Sequence, residues 1–327
     1  MGFFGRVKKE IWKVIRGILI LGVIISVVIT VFTYGRRISR PEAVTMIIDS
    51  DAGHGVDDLF AISVALTDPK IRVDGLTAAQ WYNHPESNDS TVFMSQQTLE
   101  ELLILHDRLN IPHPPGEPGP TGFSEKLQSP PSPAAQLILD QVKILDYREK
   151  LNVLTLGPPT NLASAILSDT TIIPRIRWYG LAGRYDDRSG VWNKNEFNVR
   201  NDLDAFDYLL NREALETFIL PRNTGEMYLS GLTETSDLLA FRSPKYHFLV
   251  EQWKQRYTEK RELPLESLAL VQAIMNPDLV TAKEVWTPAE NTRRRITVYT
   301  WIDAKKMKRE YRKLIRKDLG DIASDTE

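Results

Sequence analysis

Apolar and polar positions alternate along the chain in a recurring order of short apolar run, polar turn and helix-spaced stretch. Met46-Ile47-Ile48 is an apolar run that reads as a buried strand, and Leu59 to Thr67 has the spacing of a helix. Lys70 to Ala79 alternates and then turns apolar, as a second strand does. Strand, helix and strand in that order predict a β-α-β unit and hence a parallel sheet. Ser95 to Leu109 carries Leu and Ile at helical spacing, and Pro133 to Tyr147 is again an amphipathic helix. The eight prolines between positions 112 and 133 interrupt any period and predict a loop or lid. Leu151 to Leu156 reads as a strand, and the turn Gly157-Pro158-Pro159 leads into a helix that Thr160 or Asn161 is suited to cap. Near the end, Thr292 to Ile302 is a basic strand, while Ala304 to Leu319 is a charged helix with Met307, Tyr311, Leu314 and Ile315 on one face.

One apolar stretch breaks this order. Gly17 to Gly35 contains no charged residue, and its length is on the order of the ~20 residues that cross a bilayer. Tyr34-Gly35-Arg36-Arg37 is a poor cleavage site, so an uncleaved signal anchor is predicted over residues 17–35. Arg6, Lys8, Lys9, Lys13 and Arg16 precede it, whereas Arg36, Arg37 and Arg40 follow. This bias predicts a single-pass membrane protein with a cytoplasmic N-terminus and a lumenal or extracellular domain. Asn88-Asp89-Ser90 is a glycosylation acceptor that fits that side. Residues 1–40 are then the cytoplasmic basic segment and anchor, and residues 41–327 the folded domain.

With 327 residues the chain accommodates one large α/β domain plus this appendage. Lys and Arg number 41 against 43 Asp and Glu, so no global charge draws the protein to nucleic acid. The absence of cysteine excludes disulfides, thiolate metal sites and a cysteine nucleophile.

Chemistry concentrates between the first strand and the first helix. Asp49, Asp51, Asp57 and Asp58 crowd there with Gly53 and Gly55. Like charges so close raise one another's pKa, and a bound cation relieves them. Hard oxygen ligands select Ca2+ or Mg2+ over zinc. The pattern Asp49-x-Asp51-x-Gly53-x-x-x-Asp57-Asp58 resembles the N-terminal signature of the calcium-dependent inosine-uridine nucleoside hydrolase family, in a variant with a longer glycine loop. Leu156-Gly157-Pro158-Pro159-Thr160-Asn161-Leu162-Ala163 is similar to a second block of that family, and Ile173 to Gly183 to its next strand. Glu196-Phe197-Asn198 followed by Asp202-x-x-Ala205 resembles a third.

The resemblance extends over roughly residues 44–319 and implies an α/β, mostly parallel open sheet flanked by helices, nucleoside hydrolase-like, with its site at the carboxyl edge. It implies hydrolysis of the N-glycosidic bond of a ribonucleoside to ribose and free base, as in purine and pyrimidine metabolism. In that scheme Asp51 takes a proton from calcium-bound water and, with Asp58, the backbone carbonyl of Leu156 and Ser267, holds the Ca2+. Asp57, Glu196 and Asn198 bind the ribose, and Asn193 reaches its 5′-hydroxyl. Asn83 stands where family members carry an Asn near the ribose, and Trp81 either stacks on the base or is packing.

The last block departs from the family. Where a His-Asp pair precedes an apolar helix, this chain has Glu266-Ser267. Ser267 suits a helix N-cap, or a neutral ligand in place of an anionic one. Glu266, if buried, can act as the acid for the leaving base. Two rival readings follow from this departure and from the Trp81 to Ser90 loop: a ribose-binding pseudoenzyme, and a glycosidase acting on a non-nucleoside riboside. The small-molecule partner is therefore a nucleoside or riboside, and self-association into a homo-oligomer is left open.

Overall fold

The apolar runs assemble into one sheet. A computed structural model of the chain describes residues 12, 16–17, 20–27, 43–88, 90–122, 130–239, 243–259 and 261–320. Two units separate, Met1–Ala43 and Val44–Glu327. In the first, residues 20–27 are helical and exposed. Among the described residues no helix is long and apolar enough to cross a membrane. Positions 18–19 and 28–35 of the predicted span lie outside the described residues, as does Asp89 of the glycosylation acceptor.

The second unit begins with β1 (Val44–Ser50), α1 (Asp57–Thr67) and β2 (Ile71–Ala78), the predicted β-α-β unit. Then follow α2 (Thr91–Leu105), α3 (Pro133–Ile144), β3 (Leu151–Thr155), α4 (Thr160–Ser168) and β4 (Ile176–Leu181). A small hairpin, β5 (Arg184–Asp186) and β6 (Val191–Asn193), leads to α5 (Phe197–Asn201), α6 (Leu203–Leu210) and β7 (Glu216–Leu220). An excursion then carries α7 (Arg222–Gly225), β8 (Leu229–Gly231), α8 (Leu232–Leu239), α9 (Pro244–Arg256) and β9 (Glu262–Pro264). The chain returns through α10 (Glu266–Met275), β10 (Val280–Trp286), β11 (Arg295–Ile302) and α11 (Ala304–Asp318).

The main sheet has seven strands in the order β10-β11-β7-β4-β3-β1-β2. Every pairing in it is parallel except β10 with β11. β1 lies inside the sheet, between β3 and the edge strand β2, and its side chains divide between the two faces as the two-residue period of a strand requires. Met46 and Ile48 join the core beneath α1, α2, α9, α10 and α11, while Ile47 joins the opposite core with α3, α4 and α6. Burial on both faces explains why Met46-Ile47-Ile48 is continuously apolar rather than alternating. On α11, Met307, Tyr311 and Ile315 recur every fourth residue and are buried, leaving the basic side chains outside.

Two predicted caps are corrected. α4 begins after Pro159, and the Asn161 amide instead donates to Asp49 Oδ1 at 2.8 Å and to the Ala78 carbonyl at 3.1 Å. A buried carboxylate accepts more strongly than a helix end, so the side chain is drawn across to β1 and β2. Likewise α10 starts two residues earlier than it would with Ser267 as its cap, with Leu265 at the N-cap, and Ser267 lies within the first turn.

Candidate active site

At the carboxyl end of β1 the chain leaves the sheet at Ser50, turns through Asp51 to Val56, and enters α1 at Asp57-Asp58. Open α/β sheets place their ligand crevices at such strand ends. Carboxylates in a first helical turn also meet the positive end of the helix dipole. A cleft of about 430 Å3 opens here. Asp51, Asp57, Asp58 and the Leu156 backbone line it from one side. Glu196 and Asn198 join them from the start of α5, after the β5–β6 hairpin, and Glu266 and Ser267 from the start of α10, after β9.

The acidic side of the cleft is buried and strained by charge. Asp51 is 5 % exposed and Asp58 3 %. Burial, then repulsion from Asp58 and Asp57, pushes Asp51 well above the ordinary carboxylate range. Burial, then the charge of Asp57, pushes Asp58 up to about 7. Hydroxyls partly offset this. Ser50 Oγ donates to Asp58 Oδ2 at 2.5 Å, and Ser267 Oγ lies 2.5 Å from Asp58 Oδ1 and 2.9 Å from Asp57 Oδ2. Asp49 faces away: it accepts from Thr77 Oγ1 at 2.7 Å and from Asn161, and burial raises it to about 7.

Glu196 forms the N-cap of α5, accepting from the backbone N–H of Asn198 at 3.1 Å and of Val199 and Gly183 at 3.2 Å each. Even so, burial raises its pKa. The Asn198 amide spans two strand ends, donating to the Leu156 carbonyl at 2.6 Å and the Leu181 carbonyl at 2.8 Å. The Glu-Phe-Asn motif thus knits β3 and β4 together at the cleft. The amide's own carbonyl remains the group suited to a ribose hydroxyl.

Glu266 is 6 % exposed and borders the cleft, with Arg222 as the partner of its Oε1. Burial, then repulsion from Asp57, pushes it up to about 9 against the opposing pull of Arg222. Arg222 was not anticipated. Its Nε lies 3.2 Å from Glu266 Oε1, and its Nη1 lies 3.6 Å from Glu196 Oε1. A cation directly after Pro221, where β7 ends, was the available signal. His54 was also missed: it stacks on Phe197 with ring centres 4.4 Å apart and meets His84 edge-on at 4.5 Å, forming an aromatic wall of the cleft. Burial lowers His54 to about 4, so the ring is neutral at physiological pH. Tyr257 completes the lining.

Three predicted substrate contacts fall elsewhere. Asn193 is exposed on β6 and accepts from the Asn195 N–H at 2.8 Å, because the β5–β6 hairpin projects it outward. Asn83 donates to the Arg200 carbonyl at 2.9 Å and lines a neighbouring cleft of about 620 Å3 that also touches His84 and Arg200. Trp81 is 3 % exposed and packs behind His54, with ring centres 5.5 Å apart, rather than lining the cleft.

The donor set fits a hard dication in kind. Asp51, Asp58, the Leu156 carbonyl and Ser267 Oγ supply oxygen only, from four different elements, and two buried carboxylates repel each other where such an ion would lie. Among the described residues no group of three or more His, Cys, Asp or Glu side chains is arranged to hold a metal ion.

Residues 46–316 match the family model described as inosine-uridine preferring nucleoside hydrolase. Uridine nucleosidase 1 of Arabidopsis thaliana is 27% identical over 209 residues, 57% of this chain and 58% of that protein. Probable uridine nucleosidase 2 of Oryza sativa subsp. japonica is 27% identical over 241 residues, 64% of this chain and 65% of that protein. The chain thus spans less than two thirds of the length of either relative. Among solved structures, a plant nucleoside hydrolase, PpNRh1, superposes with a TM-score of 0.66 at 17% identity, covering 84% of this chain and 98% of that one. At that identity the likeness speaks for the fold.

Proposed function

The chain belongs to the inosine-uridine preferring nucleoside hydrolase family, and on that premise we propose that it hydrolyses the N-ribosyl bond of nucleosides. The observation that carries this reading is the meeting of Asp51, Asp57, Asp58, Glu196 and Asn198 in one cleft at the carboxyl edge of the sheet. The residues that would hold calcium are Asp51, Asp58, the Leu156 carbonyl and Ser267. When bound there, the ion supplies Lewis acidity that makes water easier to deprotonate.

Asp51 takes the proton of the attacking water at its carboxylate. Oxygen bonds to C1′ as the bond from C1′ to the base nitrogen breaks, and the electron pair leaves with the base. Asp57 and Glu196 hold the ribose hydroxyls, and their negative charge favours the oxocarbenium-like transition state. Glu266 gives its proton to the departing base, a role supported by its burial at the edge of the cleft. The neutral His54 ring on Phe197 offers an apolar surface for a flat leaving group.

The ion pair between Arg222 and Glu266 favours one second reading, a site that binds ribosides without turnover. Release of ribose from uridine and inosine by the full chain, measured with calcium and again with chelator, decides between them: turnover supports the hydrolase, and binding without release supports the other. Anchoring in a membrane through residues 17–35, with the domain lumenal or extracellular, is part of the same proposal and is supported by the uncharged stretch itself. Glycosylation of Asn88 in a secretory host supports that orientation; extraction of the full chain from membranes by alkaline carbonate would count against the anchor.

A further inference from the structure

The loop that carries the acidic cluster has little regular hydrogen bonding of its own. Within it, His54 N–H donates to the Asp51 carbonyl at 2.8 Å, and Leu59 N–H reaches back to Val56. On one side the loop lies against α2: a side chain at Gly53 would meet Ser95 N at 2.8 Å, so only glycine allows that approach. On the other side stands Arg256, the last residue of α9. Its Nη1 donates to the Ala52 carbonyl at 2.7 Å and to the Gly55 carbonyl at 2.8 Å, across sequence separations of 204 and 201 residues.

We propose that Arg256 is a positioning residue for the reaction: by bridging the carbonyls of Ala52 and Gly55 it fixes the turn between Asp51 and Asp57-Asp58, and with it the mutual placement of those carboxylates. The bridge spans the apex of the turn, one carbonyl following Asp51 and the other preceding Val56 and α1. Its base is rigid. α9 buries Tyr246, Leu249, Val250 and Trp253, and Trp253 meets Phe60 of α1 edge-on with ring centres 5.9 Å apart. The guanidinium is therefore held by the same helix pair that holds Asp57 and Asp58. A planar fork accepts this geometry readily, because two acceptors can share one nitrogen's two N–H groups. The next residue, Tyr257, lines the cleft, so the excursion between β7 and α10 supports the acidic loop and walls the site together.

The inference rests on the hydrolase reading, and its test separates the two. Arg256→Met and Arg256→Lys are compared with the wild-type full chain by kinetics on 4-nitrophenyl riboside and uridine, by thermal melting, and by amide hydrogen exchange over residues 52–56. Displacement of reacting groups by an ångström costs on the order of a hundredfold in rate. Arg256→Met is expected to lower kcat about 10- to 100-fold with KM changed much less, to speed exchange in the loop, and to melt within a few degrees of wild type. Arg256→Lys, which can still donate to one or both carbonyls, recovers part of kcat and of the exchange protection. Unchanged kcat in an active Arg256→Met protein overturns the proposal, as does a loss of melting temperature with loop exchange unaltered. If the wild type releases no ribose, the hydrolase reading fails, and loop exchange alone still tests the bridge: faster exchange upholds it and wild-type exchange overturns it.

Discussion

Replacing Ser267 by Asp adds a carboxylate where the sequence resemblance implies one, and it exposes what the serine does. Ser267 is fully buried; its hydroxyl, with one hydrogen to give, lies 2.5 Å from Asp58 Oδ1 and 2.9 Å from Asp57 Oδ2, and its backbone N–H donates to Asp57 Oδ2 at 3.2 Å. In chelator the variant exchanges that donor for a further acceptor. Hydrogen bonds to charged groups contribute roughly 1.5 to 3 kcal/mol, and an uncompensated buried charge costs about 3 to 5 kcal/mol. Because the new carboxyl shares the proton uptake that already raises Asp51 and Asp58, the lower figure of about 3 kcal/mol is the better expectation. For a folded unit of this size, whose unfolding entropy is about 0.6 kcal/mol/K, that is a fall of roughly 5 °C in melting temperature.

Calcium reverses the sign. An added anionic ligand tightens binding by about 1 to 3 kcal/mol, and a ligand at a hundred times its Kd stabilises the fold by about 2.7 kcal/mol. The variant should therefore melt well below wild type in chelator and close to it, or above, in saturating calcium. Titration calorimetry on the same samples should give a Kd roughly 5- to 150-fold tighter than wild type. A variant that melts like wild type in chelator, or binds calcium no better, refutes the assignment of position 267 to the metal and carboxylate cluster.

Other perturbations read separate parts of the molecule. A methyl group at Gly157 would stand 2.8 Å from Asp51 Oδ1, so Gly157→Ala should cut kcat by about a hundredfold in steady-state assays while the protein still melts cooperatively. Glu266→Gln should depress turnover of uridine far more than that of 4-nitrophenyl riboside, whose leaving group needs no proton; equal losses on both would remove Glu266 from the acid role. His106, beside Ser63 Oγ at 3.0 Å, is lowered from 6.5 to about 4 by burial and then by Lys245. The unfolded chain then binds the proton more readily, so this stability is complete above pH 6.5 and declines as pH falls toward 4, by at most about 3 kcal/mol. Denaturant titrations of His106→Gln should lack that part of the acid slope, and identical slopes in both proteins would exclude it.

What could be read from the sequence follows from how local its cause is. β1, α1 and β2 were legible because their periods extend over seven or more residues and the acidic cluster lies between two of them. The parallel sheet followed from the same unit. From Arg222 to Pro264 little was legible, since α7, β8 and β9 have only three or four residues each, too few for a period to declare itself. Arg222 and Arg256 sit at element ends in that excursion, and their roles arise from contacts with residues far away in sequence. Asn193 failed for a related reason: its position next to a recognisable motif says nothing of which way a three-residue hairpin strand points its side chains.

Ser267 shows the same limit within a single residue. A serine before an apolar helix satisfies the local rule for an N-cap, which stabilises by about 1 kcal/mol. Two carboxylates within hydrogen-bond reach offer the hydroxyl a charge-assisted partner of roughly twice a neutral bond's strength, so the tertiary contact wins and the helix begins at Glu266. The outcome bears on how the cluster persists with the family's carboxylate missing. A donor at 267 lessens the repulsion between Asp57 and Asp58, whereas an apolar residue there would leave Asp58 with one hydroxyl partner fewer. The hydroxyl at 267 is therefore part of what lets Asp58 remain buried beside Asp57.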